Sequence, residues 1–279
     1  MLSGELATYL AGRSIEIPVL PLAFPEFCAF QELPKTEETL LQYLKYGGLP
    51  YLINLELRDE IVYDYLKNIY TGILFRDIVT RHKIRQIAFL ESLVEFLADN
   101  LGCEFSAQRI SNFLKAQNRK ISSNVILNYL NFLEQAFFLA RVPRQDLIGK
   151  KIFTINAKYY FTDLGLRNSL VAYKQPDLGK LLENLVYQHL CFSGYTVRVG
   201  KLDKLEIDFV CQKPGESKKK YVQVAYLIPD AQVARREFGN LLKIQDNYPK
   251  IVVSLDRLIN HDYQGIQHVN VLDFVSEVQ

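Results

Sequence analysis

Leu181-Leu182-Glu183-Asn184, then Glu206-Ile207-Asp208-Phe209-Val210, then Tyr221-Val222-Gln223-Val224-Ala225-Tyr226 are the stretches that decide how the C-terminal part of this chain folds. Glu183 lies in a run whose apolar residues (Leu181, Leu182, Leu185, Val186, Leu190) recur at helical spacing. Glu206 and Asp208 are two apart in an alternating segment. A strand there sends both carboxylates to one face and Ile207 and Phe209 to the other. A turn region rich in Lys, Gly and Pro leads to a second strand, on which Gln223 and Ala225 share a face.

The order of helix acid, strand acid and second strand resembles the PD-(D/E)XK nuclease fold. In that fold the second strand reads acid-x-lysine, and here it reads Gln-x-Ala. Metal-dependent phosphodiester hydrolysis needs oxygen ligands for Mg²⁺ and a group that orients the attacking water. Glu183 and Asp208 remain as candidate metal ligands. Gln223 offers only a neutral carbonyl, and Ala225 touches neither water nor phosphate. The resemblance thus implies a degenerate catalytic set of Glu183, Asp208 and Gln223, needing Mg²⁺ only if it functions. A lysine could reach in from elsewhere, and Lys201, Lys204, Lys219 and Lys220 are the candidates. The plainer alternative is that Glu183, Glu206 and Asp208 are solvated or locally hydrogen-bonded acids on an α/β core.

Further segments extend the resemblance over most of the chain. They are residues 2–13 (Leu-Ser-Gly-Glu-Leu-Ala-Thr-Tyr-Leu-Ala-Gly-Arg), Leu20 to Phe27, Tyr46-Gly47-Gly48-Leu49-Pro50, Arg76-Asp77-Ile78-Val79 and Lys158 to Arg167. In this order they resemble AAA-type ATP-binding proteins whose C-terminal half is the domain of unknown function 4143. The resemblance places Arg13 where such ATPases often carry a phosphate-sensing arginine, and implies that the chain starts late in the ATPase domain. A phosphate loop needs Gly-x-x-x-x-Gly-Lys-Ser/Thr after a strand. Gly47-Gly48 runs into Leu49-Pro50, and Gly149-Lys150-Lys151 lacks the upstream glycine and the hydroxyl. No ATP is therefore expected as a cofactor. A natural remnant, a split-gene product and a truncated gene reading all fit this expectation.

With 49% hydrophobic residues the chain can build a sizeable core, and no apolar run approaches the about 18 residues of a membrane span. No basic n-region precedes an apolar block at the N-terminus, so a signal peptide is not expected. Cys28, Cys103, Cys191 and Cys211 lack paired spacing, as do the four histidines. A cytoplasmic protein with reduced thiols and no membrane association is the expectation.

The fold class expected is mixed α/β, in four regions. Residues 1–31 read as the remnant edge of an ATPase domain: a helix from Gly4 to Leu10, a strand from Ser14 to Val19, then Pro-rich coil. Residues 32–100 form a helical, lid-like segment, with Thr36 capping its first helix. Residues 101–162 read as a winged helix, with Ser106 and Ser122 capping two helices and Gly149 between two alternating stretches. Residues 163–279 form the nuclease-like α/β domain.

Nine basic residues face three acidic ones within 101–162, whereas the whole chain carries only +2. Such a cluster suits phosphate contact. Asn124 and Asn128 on the second helix are of the type that pairs with adenine in the major groove. With Arg141, Arg144, Lys150 and Lys151 they form the candidate DNA-binding set. Solvated surface and packing modules share this composition. The leading expectation is a non-catalytic DNA- or partner-binding protein. A divalent-metal nuclease and a protein-interaction module working with a separate ATPase subunit, or with further copies of itself, are the alternatives.

Overall fold

Pro25 can occupy the first turn of a helix, where its missing N–H breaks no hydrogen bond. The computed structural model, which describes residues 17–116, 121–149, 152–257 and 262–276 (backbone only at 153–155), places helix α1 at Phe24–Phe30. This corrects the coil expected there. Glu26 accepts from the Ala23 N–H at 2.8 Å and holds the start. The expected helix at Gly4–Leu10, the first part of the strand at Ser14–Val19, and Arg13 lie outside the described residues.

Thr36 caps α2 (Glu37–Tyr46), accepting from the Thr39 N–H at 3.3 Å. The helix stops at Gly47, whose φ of +80° is a conformation that favours glycine. Two longer helices follow: α3 (Asp59–Gly72), continued by a π-helical stretch at Ile73–Thr80, and α4 (Ile87–Asp99). No described helix is long and apolar enough to cross a membrane.

The helix-turn-helix expected next is present as α5 (Ala107–Ala116) and α6 (Ser123–Gln135), with Ser122 accepting from the Val125 N–H at 3.4 Å. Ile126, Tyr129, Leu130 and Leu133 form the buried stripe of α6. Phe137 lies past the helix end, at φ +53° and exposed. Strands β1 (Leu139–Asp146) and β2 (Ile152–Phe161) then form an antiparallel hairpin.

That hairpin is not a free wing. After α7 (Leu164–Val171) and α8 (Leu178–Phe192) come β3 (Thr196–Leu202), β4 (Leu205–Gln212) and β5 (Lys219–Val224). Helix α9 (Ala231–Leu242), β6 (Lys250–Ser254), β7 (Asp262–Tyr263), β8 (Ile266–Asn270) and α10 (Val271–Ser276) complete the described chain. One mixed sheet runs β2-β1-β3-β4-β5-β6-β8-β7, with β1 parallel to β3. The fold is mixed α/β. A large apolar core joins the N-terminal helices, α8 and one sheet face. A smaller one under α9 holds Ile207, Val210, Phe238 and Leu241.

A buried polar joint ties the helical segment to the sheet. Asp163 accepts from the N–H groups of Gly48 and Leu166, both at 2.8 Å, so it caps α7 and fixes the Gly47-Gly48 bend together. Burial pushes its carboxyl up to about 6, against the pull of these N–H groups. A Cβ on Gly165 would lie 1.9 Å from the Tyr46 carbonyl oxygen, so only glycine permits this approach. Asn168 donates to the carbonyls of Leu44 and Lys45, each at 2.9 Å. Two of the segments that suggested a family resemblance, 46–50 and 158–167, therefore meet as packing partners.

A carboxylate cluster closed by Lys158

Strand β4 carries the two acids, and a bulge decides where they point. Arg198 pairs with Val210 and Gly200 with Ile207, so Asp208 and Phe209 together face the single residue between. The expectation that Ile207 and Phe209 share a face is thereby corrected. Ile207 packs under α9, while Phe209 packs against Tyr160 (ring centroids 5.7 Å) on the α8 side. Gly200 sits opposite the bulge, where a Cβ would come within 2.9 Å of Ile207 and Val210.

Asp208 is thus turned toward the same space as Glu206 and, from α8, Glu183. The cation among them is Lys158, on β2. Its Nζ lies 2.7 Å from Glu206 Oε1, 2.9 Å from Glu183 Oε1 and 3.9 Å from Asp208 Oδ1. Lys158 is only 3% exposed. Of the lysines proposed from sequence, Lys220 Nζ lies 4.8 Å over the Tyr195 ring, and Lys204 is exposed in the β3–β4 turn. Lys219 opens β5, and Lys201 is the register partner of Glu206.

Neighbouring groups hold the acids in place. The Tyr160 hydroxyl donates to Glu183 Oε1 at 2.6 Å, and the Val224 N–H donates to Asp208 Oδ2 at 2.8 Å. Gly102 lies against Glu183, where a Cβ would come within 3.2 Å of both carboxylate oxygens. Gln223 faces α9. Its Nε2 donates to Glu237 Oε2 at 3.3 Å, and its Oε1 accepts from the Asp208 N–H at 3.4 Å. Arg236 in turn donates twice to Glu237 Oε1. Ala225 is packed in the α9 core.

The electrostatics follow from burial. Burial, then the Glu183 charge, push the Asp208 carboxyl well above its usual range against the pull of Lys158. For Lys158 burial works against the ammonium, but Glu183, Asp208 and Glu206 outweigh it and hold its pKa above the ordinary value. Burial and Glu183 likewise push the Tyr160 phenol well up. A divalent ion bound by Glu183 and Asp208 would have to take the place this ammonium holds. Among the described residues no three His, Cys, Asp or Glu side chains are arranged to hold a metal ion. The donor set does not fit the ion as it stands.

Lys158, Tyr160 and Glu237 are the residues that reading the sequence missed. Lys158 and Tyr160 are two apart on one strand and share its face. A lysine between Ala157 and Tyr159, ahead of Tyr160-Phe161, was the signal, since a buried strand holds a lysine only when it is paired.

The candidate DNA-binding residues divide. Asn124, Asn128 and Arg141 are exposed. Arg144 pairs with Glu104 at 2.6 Å and is mostly buried, so it is corrected to a structural ion pair. Lys150 and Lys151 lie outside the described residues, as do Arg119 and Lys120. Lys158, counted in the basic cluster, is spent on the carboxylates.

A family described as a domain of unknown function (DUF8612) matches residues 37–177. The chain belongs to this family. An uncharacterized protein of Haemophilus influenzae is 37% identical over 99% of the chain, which spans 68% of that relative's length. An uncharacterized protein of Methanocaldococcus jannaschii is 30% identical over 98% of the chain and 63% of its own length. No solved structure gives a significant match. These findings correct the resemblance drawn from the scattered segments. The family found is DUF8612 rather than an AAA-type ATP-binding family, and neither relative's name carries an ATP-binding description. The DUF8612 match includes Lys158 and Tyr160 and ends before Glu183, Glu206 and Asp208. The carboxylate cluster is therefore built across the edge of the matched region.

Proposed function

We propose that this protein is a non-catalytic DNA-binding protein that contacts duplex DNA through α6 and the neighbouring hairpin. The observation that carries this reading is the uncovered face of α6. Asn124, Leu127, Asn128 and Asn131 are exposed on it, Leu127 by 48%, while the opposite face is buried. Arg109, Lys115 and Arg141 are exposed on the adjoining elements. Phosphate contact supplies the affinity of such a surface, and asparagines on the helix are suited to base edges.

Fluorescence anisotropy with a labelled duplex tests it. Binding should be weak, tolerant of sequence and lost as salt rises. Arg141→Glu combined with Asn124→Ala and Asn128→Ala should weaken it by about ten-fold or more, and lower the salt slope by about one. Charge reversal at Lys243 and Arg257 serves as control. Equal losses in the two sets would show that the face is misplaced.

A second reading, divalent-metal nuclease, is favoured by one observation: a lysine does reach Glu183, Glu206 and Asp208. Against it, that lysine sits where the ion belongs. Wild-type protein is therefore expected to give no Mg²⁺- or Mn²⁺-dependent nicking of plasmid DNA. Robust nicking that vanishes in Asp208→Ala would promote the hydrolytic reading to first place. Rebuilding the acid-x-lysine pair on β5 is not a useful test, because a lysine at position 225 would enter the α9 core.

A further inference from the structure

We infer that the groove between the β3–β4 turn, the start of β5 and the loop after α9 is a docking site for an acidic peptide segment of a partner protein, one that carries aliphatic side chains between its carboxylates. The inference rests on the lining of this groove and is independent of DNA binding by α6.

The groove encloses about 950 Å³, at the upper end of the about 300–1,000 Å³ found for sites that hold an organic ligand. Four stretches of chain build it. Strand β1 runs on into Leu147 and Ile148 beside the β3–β4 turn, where the Leu147 N–H donates to the Lys201 carbonyl at 2.9 Å. Leu202 and Leu205 line it from that turn, Tyr221 from β5, and Ile244 and Tyr248 from the loop after α9. The floor is therefore largely aliphatic and continuous with the small core under α9. Ile148 is left 62% exposed at its edge. Apolar surface bordered by charge is the make-up of a surface that a partner covers. Lys204, Lys219 and Lys243 supply the charge, and Lys204 and Lys243 are exposed. Of the two acids in the lining, Asp246 is drawn inward. It accepts from the Tyr221 hydroxyl at 2.6 Å and the Tyr248 N–H at 3.2 Å, and Lys250 Nζ lies 3.5 Å away. Its charge is matched within the fold. Asp203, in the β3–β4 turn, is then the one acid of the lining set against three ammonium groups. Charge complementarity thus selects an acidic partner. The floor separates a peptide from a nucleic acid. Bases stack on open aromatic faces, whereas here the Tyr221 ring is buried and leucine and isoleucine offer contact to aliphatic side chains.

The test is fluorescence polarisation of a fluorescein-labelled peptide, Glu-Asp-Leu-Glu-Glu-Leu-Leu-Asp, titrated with the full chain. A peptide with serine in place of each leucine, and one with the amides in place of the acids, should each bind at least about ten-fold more weakly. Lys204→Glu combined with Lys243→Glu should weaken the acidic peptide by about ten-fold or more, as should Ile148→Asp. These side chains are exposed, so the variants should keep the melting temperature of wild type. Lys204→Gln combined with Lys243→Gln, which adds no new charge, should give a smaller loss in the same direction. No binding of the acidic peptide, equal binding of its serine version, or binding that the groove substitutions leave unchanged would overturn the inference. So would oligothymidylate that binds more tightly than the peptide and is lost with the same substitutions, which would make the groove a nucleic-acid channel. Arg141→Glu should leave the peptide affinity unchanged. No nucleic acid is present in the peptide titration, so its result is separate from that of the anisotropy experiment.

Discussion

Lys158→Met should lower the free energy of unfolding at neutral pH by about 3–5 kcal/mol, because it leaves buried carboxylates without their counter-ion. The loss arises less from the pair's own strength than from what remains. Glu183 and Asp208 are mostly buried, and only Glu206, with 35% of its side chain exposed, can turn to water. Glu183→Gln should cost less, since Lys158 keeps Glu206 and Asp208 and the amide can still accept from Tyr160.

The pH dependence distinguishes this from simple loss of packing. The folded pKa of Lys158 lies above its unfolded value, so its contribution is complete throughout the neutral range. It is lost only in alkali, as pH rises through the folded value. Asp208 also titrates above its unfolded value, so its ionisation costs stability as pH climbs from about 3.9 toward the folded pKa. Removing Lys158 enlarges that cost. Urea denaturation should show a larger deficit for Lys158→Met at about pH 8 than at about pH 5, where the acids take up protons more readily. A deficit under about 1 kcal/mol that does not change with pH would mean that the cluster is solvated and Lys158 contributes little.

Much of the sheet was open to a reading of periodicity alone. Alternation located β4 and β5 to within a residue or two. Serine and threonine caps marked α2, α5 and α6 because a side-chain oxygen before an apolar stripe has few other uses. The site was harder. Periodicity counts residues along one strand, and the bulge at Asp208 and Phe209 breaks the count through pairing with β3. Lys158 lies 25 residues before Glu183 in sequence. It reaches the acids only because β1 joins the hairpin to β3 in one sheet, a pairing that local pattern does not encode. Net charge misled for the same reason. Arg144 and Lys158 add to a basic total in sequence, yet in the fold each is neutralised by acids brought from other elements. The Gly47-Gly48 and Asp163–Arg167 segments suggested a nucleotide-binding family, but their residues serve a buried joint whose requirements are steric and polar.

That joint yields the second large expected effect. Arg167→Ala should destabilise the protein by about 3–5 kcal/mol, since Arg167 is fully buried and its removal strands several polar groups at once. Nε donates to the Ala98 carbonyl at 2.9 Å, one terminal nitrogen donates to Asn168 at 3.0 Å, and the other donates to Asp177 at 2.7 Å. These contacts link the end of α4, α7 and the start of α8, so alanine leaves a cavity where three elements meet. Arg167→Lys should recover only part of the loss, because an ammonium cannot reproduce the planar fork. Burial alone would raise the Asp177 carboxyl, but Arg167 and then Lys180 outweigh it and hold it below its usual range. A depressed carboxyl contributes stability above its unfolded pKa and loses it as pH falls through the folded value. The gap between wild type and Arg167→Ala should therefore narrow as the solution is acidified below the ordinary aspartate value of about 3.9. Chemical denaturation of Arg167→Ala, Arg167→Lys and Asp177→Asn, at neutral pH and in acid below that value, checks this. Asp177→Asn should retain more stability than Arg167→Ala, because Arg167 keeps Ala98 and Asn168. If Asp177→Asn cost as much as Arg167→Ala, the ion pair alone would hold the joint, and the backbone and amide contacts of Arg167 would be incidental.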